Sequence, residues 1–168
     1  MANHVLLDLE TLGTRPGDCI LSIGAVVFSL DEGITSEFYV TVDSNRCREL
    51  GFKAQKSTVE WWGKQSKVAQ EAAFKGELSP ETAFKQFTMW LPEDTTLWGN
   101  GADFDNVLMT SALNLLKIEV PWKFWNNRCY RTVKNLFPMT LYQVFRVFVI
   151  SSLSAFTSQV LSIPSIPS

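Results

Sequence analysis

The stretch His4–Phe28, HVLLDLETLGTRPGDCILSIGAVVF, decides how the rest of the chain reads. It holds two apolar runs, His4–Leu9 and Ile20–Phe28, joined by a loop with Pro16 and Gly17. The first run is almost unbroken through Val5, Leu6, Leu7 and Leu9, the signature of a central strand. Residues two apart on a strand share a face, so Asp8 and Glu10 lie side by side near its exit. Two carboxylates held that close repel, and each raises the other's pKa. A cation between them relieves the repulsion, and an oxygen-only donor set suits Mg²⁺ or Mn²⁺. The spacing alone is equally met by a solvated strand edge, so other segments must decide.

Working outward, Asp31-Glu32-Gly33 marks a turn, and Glu37–Val42 reads as a third strand closing an antiparallel meander. Residues 43–57 are polar and read as a long surface loop. Thr58 is the expected cap of a helix continuing to residue 75, with Trp61 and Trp62 in its first turns. Ser79 followed by Pro80 predicts another helix to about Leu91, burying Ala83, Phe84, Phe87 and Leu91. Residues 95–100 form a fourth strand ending in a glycine-rich turn. Asp103 is the expected cap of a helix from Phe104 to about Lys117, and Asp105 lies in its first turn, where the helix dipole favours an acid. A short strand at 127–130 and a helix at 132–137 complete an α/β pattern, a mixed sheet with helices on its faces.

Composition narrows the class. With 168 residues, 46% hydrophobic and 19% charged, the chain suits one globular domain with a real core. The net charge of −2 conceals an asymmetry: every acid lies at or before Glu119, whereas Lys123, Arg128, Arg131, Lys134 and Arg146 follow it. Three cysteines without paired spacing and a single histidine, His4, argue against zinc and for reduced thiols. The N-terminus lacks a basic-then-apolar leader, so a cytoplasmic location is expected.

Two stretches carry a family resemblance. Asp8-Leu9-Glu10-Thr11 is similar to the first motif, and Asn100-Gly101-Ala102-Asp103-Phe104-Asp105 to the second, of the DEDD or DnaQ-like 3′–5′ exonucleases. LDLETLGTRPGDCILSIGAVVF, Thr58–Trp62, WGNGADFDNVLM and CYRTVKNLFP further resemble bacterial and phage exonucleases of the DexA type, over about residues 4–138. The resemblance implies a ribonuclease-H-like, five-stranded mixed sheet and two divalent metals held by Asp8, Glu10 and Asp105. It also implies hydrolysis at the 3′ end of single-stranded DNA or RNA. Two ions about 3.5–4 Å apart would activate water and stabilise the leaving oxygen. Asp8 would bridge them, Glu10 hold the ion nearer the nucleophile and Asp105 the other. Thr11, Leu12, Asn100 and Phe104 would contact the terminal nucleotide, Leu12 as an apolar wedge. Trp61 and Trp62 would stack on bases, or pack in the core. Family relatives are often dimers, so a homodimer is also implied.

The resemblance stops at the C-terminus. The family supplies a fourth carboxylate there, with a His or Tyr four or five residues before it. Here no acid follows Glu119, no histidine follows His4, and Tyr142 is followed four residues later by Arg146. The reading is therefore an exonuclease-like domain at 1–138 and an atypical tail at 139–168, with one charge and seven serines, like a replaced or frameshifted end. Residues 141–163 are long enough to span a bilayer, but Gln143, Arg146 and Gln159 argue against it. Without the last motif, turnover is expected to fall, the missing base alone being worth roughly 10²–10⁴-fold. The alternative is a catalytically defective module that binds 3′ ends.

Overall fold

The protein is represented by a computed structural model, which describes residues 3–29 and 31–136. Its sheet has five strands in the order β3-β2-β1-β4-β5. β1 (Asn3–Thr11), β2 (Ile20–Ser29) and β3 (Gly33–Thr41) form the antiparallel meander. β4 (Thr95–Gly99) and β5 (Asn127–Cys129) then add parallel to β1. This is the mixed, ribonuclease-H-like sheet that the resemblance implies, with β1 at its centre.

One face of the sheet carries the main core. Val5, Leu7 and Leu9 of β1 pack with Ile23 and Ala25 of β2 and Leu97 of β4. Against them lie α4 (Pro80–Trp90), through Ala83, Phe84 and Phe87, and α5 (Asp105–Leu115), through Leu108, Met109, Ala112 and Leu113. Burying residues such as Phe84 and Phe87 contributes on the order of 2–3 kcal/mol each. Ser79 caps α4 by accepting from the Thr82 amide, with Pro80 at the first position as expected.

Several local expectations are corrected. Residues 43–57 are not simply surface loop. Asp43 caps α1 (Ser44–Glu49), and Cys47 and Phe52 enter the core. A single apolar residue, Cys47, among polar ones gives no periodicity to announce so short a helix. The helix expected through residue 75 is two, α2 (Lys56–Trp62) and α3 (Lys67–Ala73). Gly63 ends the first, and the Ser66 hydroxyl accepts from the Ala69 amide to start the second. Gln55, not Thr58, occupies the cap position of α2. Phe104 rather than Asp103 stands at the cap of α5, with no side-chain bond there. Its buried stripe uses Met109, Ala112 and Leu113, whereas Val107 and Leu115 are exposed. The last described helix, α6 (Tyr130–Leu136), begins directly after β5.

Cys19, Cys47 and Cys129 are free thiols. No helix of the described residues is long and apolar enough to cross a membrane. The segment 141–163 and the proposed tail at 139–168 lie outside the described residues.

Candidate active site

β1 presents His4, Leu6, Asp8 and Glu10 on the face opposite the main core, by its two-residue period. Asp8 stands opposite Gly24 of β2, and Glu10 opposite Ser22. The β1–β2 register then slips between Glu10 and Thr11. Such an irregularity re-aims the chain where a strand leaves its ladder. Beyond it, Leu12 donates its amide to Cys19 O at 2.8 Å, and Trp62 donates its indole N–H to Thr11 O at 2.9 Å. The exit of β1 is thus clamped from two sides just past the acids.

The 13–18 loop is held by Asp18, whose carboxylate accepts from the Arg15 amide at 2.9 Å and from Gln55 Nε2 at 2.6 Å. Gly13 is required beside it, because a Cβ there would collide with the Asp18 carboxylate.

Asp105 arrives from the other side. It is buried at the start of α5, and its Oδ1 accepts from the Leu9 amide at 3.3 Å. One hydrogen bond therefore ties the second acidic segment to the backbone between Asp8 and Glu10. Gly99 makes the approach possible: a Cβ there would stand 3.1 Å from Asp105 Oδ2 and 2.5 Å from Asn106 Oδ1. Asn106 locks the turn by donating to Leu97 O and Asn127 Oδ1, both at 2.9 Å.

The electrostatics match this crowding. Burial, then the charges of Asp8 and Asp105, push Glu10 from its ordinary 4.5 up to about 7. Burial, then Asp8, push Asp105 from 3.8 up to about 7, against the pull of backbone amides. Burial also raises Asp8. None of the four ion pairs among the described residues involves these acids. The charges of Asp8 and Asp105 act on Glu10 and that of Asp8 on Asp105, and among the described residues none of the three forms an ion pair with a cationic side chain. Among the described residues no trio of His, Cys, Asp or Glu is already drawn together tightly enough to hold a metal ion. The donor chemistry, hard oxygens in mutual repulsion, fits a divalent cation that would have to gather them.

The other expected contacts divide. Thr11 is buried and its hydroxyl donates to Gly13 O at 2.6 Å. Leu12 and Trp62 belong to the core. Trp61 is 48% exposed and meets Trp62 edge-on at 5.0 Å. Asn100 is exposed and Phe104 half-buried. Asn106 and Arg131 were not anticipated. Asn106 reads as an ordinary polar helix residue. Arg131 lies 31 residues from Asn100 in sequence, yet its amide donates to Asn100 O at 3.0 Å.

The family model described as the 3′–5′ exoribonuclease Rv2179c-like domain matches residues 3–147. The exodeoxyribonuclease of Enterobacteria phage T4 is 24% identical, over 76% of this chain and 68% of that protein. Product-bound exonuclease I overlays with a TM-score of 0.62 at 14% identity, covering 83% of this chain and 33% of that one. E. coli exonuclease I in complex with a dT13 oligonucleotide overlays with a TM-score of 0.52 at 14% identity, covering 68% and 24%. These overlays speak to the fold, and the chain spans only about a quarter to a third of the exonuclease I length.

Proposed function

Because the chain belongs to the 3′–5′ exoribonuclease Rv2179c-like domain family, among the DnaQ-like exonucleases, we propose that it shortens single-stranded nucleic acid from the 3′ end. The observation that carries this reading is the mutual repulsion of Asp8, Glu10 and Asp105, brought near one another from two distant segments, with no ion pair to a basic side chain among the described residues. In this reading these three residues hold Mg²⁺ or Mn²⁺. When bound, such ions supply charge neutralisation at the scissile phosphate and a more acidic water.

The chain's own residues do the rest. The clamp at Thr11 fixes where Glu10 points, and the Leu9 amide fixes Asp105. In this reading Asn100 and Phe104, which stand at the same turn, contact the strand's last nucleotide. Of the residues expected to touch bases, Trp61 retains an exposed ring for stacking. Leu12 and Trp62 contribute by shaping the site from beneath. The motif kinship with DexA-type exonucleases belongs to the same reading. The matched family is described as an exoribonuclease and the phage relative as an exodeoxyribonuclease, so both sugars enter the test.

A second reading has its own observation: no acid follows Glu119 and no histidine follows His4. A site without a further carboxylate and a basic side chain would bind 3′ ends and turn them over slowly.

The test uses 5′-labelled RNA and DNA 12-mers with Mg²⁺ or Mn²⁺, and Asp8→Asn as control. Progressive shortening from the 3′ end that the control lacks supports the exonuclease. Metal-dependent binding without shortening supports the binding module. Neither shortening nor binding of either sugar overturns both.

A further inference from the structure

The basic end of the described chain carries a feature that the acidic site does not use. Residues 120–136 contain Lys123, Arg128, Arg131 and Lys134 and no acid. Within them Phe124 and Trp125 are 78% and 60% exposed, on a single 3₁₀ turn just before β5. Their rings meet edge-on at 4.9 Å, and Lys123 Nζ sits 5.7 Å from the centre of the Trp125 ring. The turn is fixed in place. Asn126 Nδ2 donates to Thr95 O at 3.1 Å, and Arg128 Nη1 donates to Trp125 O at 2.7 Å. Two large rings held side by side in water, on a rigid turn, form an apolar surface that favours a partner. A cation against an aromatic face is what single-strand binding surfaces combine.

This surface leads to the acids. β5 runs from the aromatic turn to Cys129, which pairs with Gly99. The next turn brings Arg131 to Gly101: its Nη2 lies 3.1 Å from where a Cβ on Gly101 would stand. Arg131 enters none of the ion pairs among the described residues. The acids that flank these elements in sequence, Glu93, Asp94 and Glu119, make the positive charge a local stripe rather than a general property.

We infer that Phe124 and Trp125 stack bases of a single strand upstream of its 3′ terminus, while Lys123 and Arg131 contact its phosphates. The inference rests on the nucleic-acid reading above and adds a second, non-catalytic subsite to it. Three residues lie between Trp125 and Cys129, Asn126 closing the 3₁₀ turn and the other two in β5, a span on the order of 12 Å. With the two strand spacings of about 5 Å each from β5 to β1, the rings stand several stacked nucleotides, at about 3.4 Å each, from the acids.

The experiment measures affinity of the full chain for a dinucleotide and a 12-mer in Ca²⁺, with the wild type, Phe124→Ala/Trp125→Ala, Trp125→Phe and Arg131→Gln. In the wild type the 12-mer binds more tightly than the dinucleotide. The double variant loses about 10- to 100-fold on the 12-mer, so that the length preference collapses. Trp125→Phe, which keeps a stacking face, retains most of it. Arg131→Gln lowers the slope of log affinity against log salt by about 0.7, one single-strand phosphate. An unchanged length preference in the folded double variant, or loss of a dimer by that variant on gel filtration, overturns the inference. In either case the 3′ shortening assay still stands or falls separately. Failure of the wild type to bind either ligand overturns the subsite and the nucleic-acid reading together.

Discussion

The two ends of β1 present the same face of one strand and solve the same problem in opposite ways. At one end His4 is settled: its Nδ1 accepts from Trp98 Nε1 at 3.1 Å, and its ring stacks on Phe28 at 5.5 Å. Burial and Arg128 lower its pKa, so it sits there neutral, as an acceptor must. Leu6 and Val26, opposite each other and buried, fill the middle. At the other end Asp8, Glu10 and Asp105 are crowded, and Glu10 and Asp105 rise to about 7. One end is optimised for folding. The other stores repulsion that a proton or a bound cation relieves, the pattern expected of a site rather than of a buried polar cluster.

Removing an acid breaks the contrast most strongly. Asp8→Asn deletes the charge that both Glu10 and Asp105 feel. The expected loss of hydrolysis is on the order of 10²–10³-fold. Without metal the variant should melt higher than the wild type, because a like charge has gone. The wild-type rise in Tm on adding Mn²⁺ should also disappear. A variant that melts lower without metal would mean the acids are not in conflict.

The pH dependence of metal-free stability sharpens the contrast. Glu10 and Asp105 have folded pKa values above their unfolded ones, so the folded state holds more protons between about 4 and 7. Stability is therefore greatest below that window and falls as pH rises through 7. Allowing for coupling between the two groups, the fall is on the order of a few kcal/mol. Denaturant melts in EDTA at pH 5 and pH 8 measure it. Saturating Mn²⁺ should flatten the slope, because it favours the ionised carboxylates. A metal-free protein more stable at pH 8 than at pH 5 would contradict the placement of these acids.

Gly99→Ala tests the geometry without changing charge. The added Cβ meets Asn106 Oδ1 at 2.5 Å and Asp105 at 3.1 Å, and Asn106 is pinned by two hydrogen bonds. Repacking should cost about 1–3 kcal/mol. Asp105 must also shift from the Leu9 amide, so the metal-linked rise in Tm should shrink more than the stability does. Equal metal response in wild type and variant would show that Gly99 serves only the packing.

Much of this was legible because it rides on strong periodicity. The apolar runs 5–9 and 20–28 are long enough to declare central strands, and two acids two residues apart declare a shared face. The place of Asp105 in the first turn of a helix was legible. What brings it to β1, one backbone amide across 96 residues, was not. The hidden parts depend on long-range partners. α1 looked polar because its burial rests on Cys47 alone, and α2 and α3 looked continuous because a Gly63 stop and a Ser66 start are weak local signals. Trp61 and Trp62 were indistinguishable until the indole of Trp62 found Thr11 O. The Arg131–Asn100 contact joins a helix start to a turn that no pattern connects.

The smallest effect is at the settled end. His4→Phe keeps a ring to stack on Phe28 and removes the acceptor of the Trp98 bond, a change of about 1 kcal/mol. Its value lies in pH. The folded pKa of His4 is lowered below the ordinary 6.5, so the unfolded state takes up the proton first. The stability that neutral His4 supplies is present above 6.5 and lost as pH falls below it. That loss opposes the gain from the acids over the same range. With His4 replaced, metal-free stability should rise more steeply on going from pH 7 to pH 5 than it does in the wild type. Parallel melting curves for the two proteins across that range would mean that His4 titrates no differently folded than unfolded, and the two ends of the strand would no longer differ in kind.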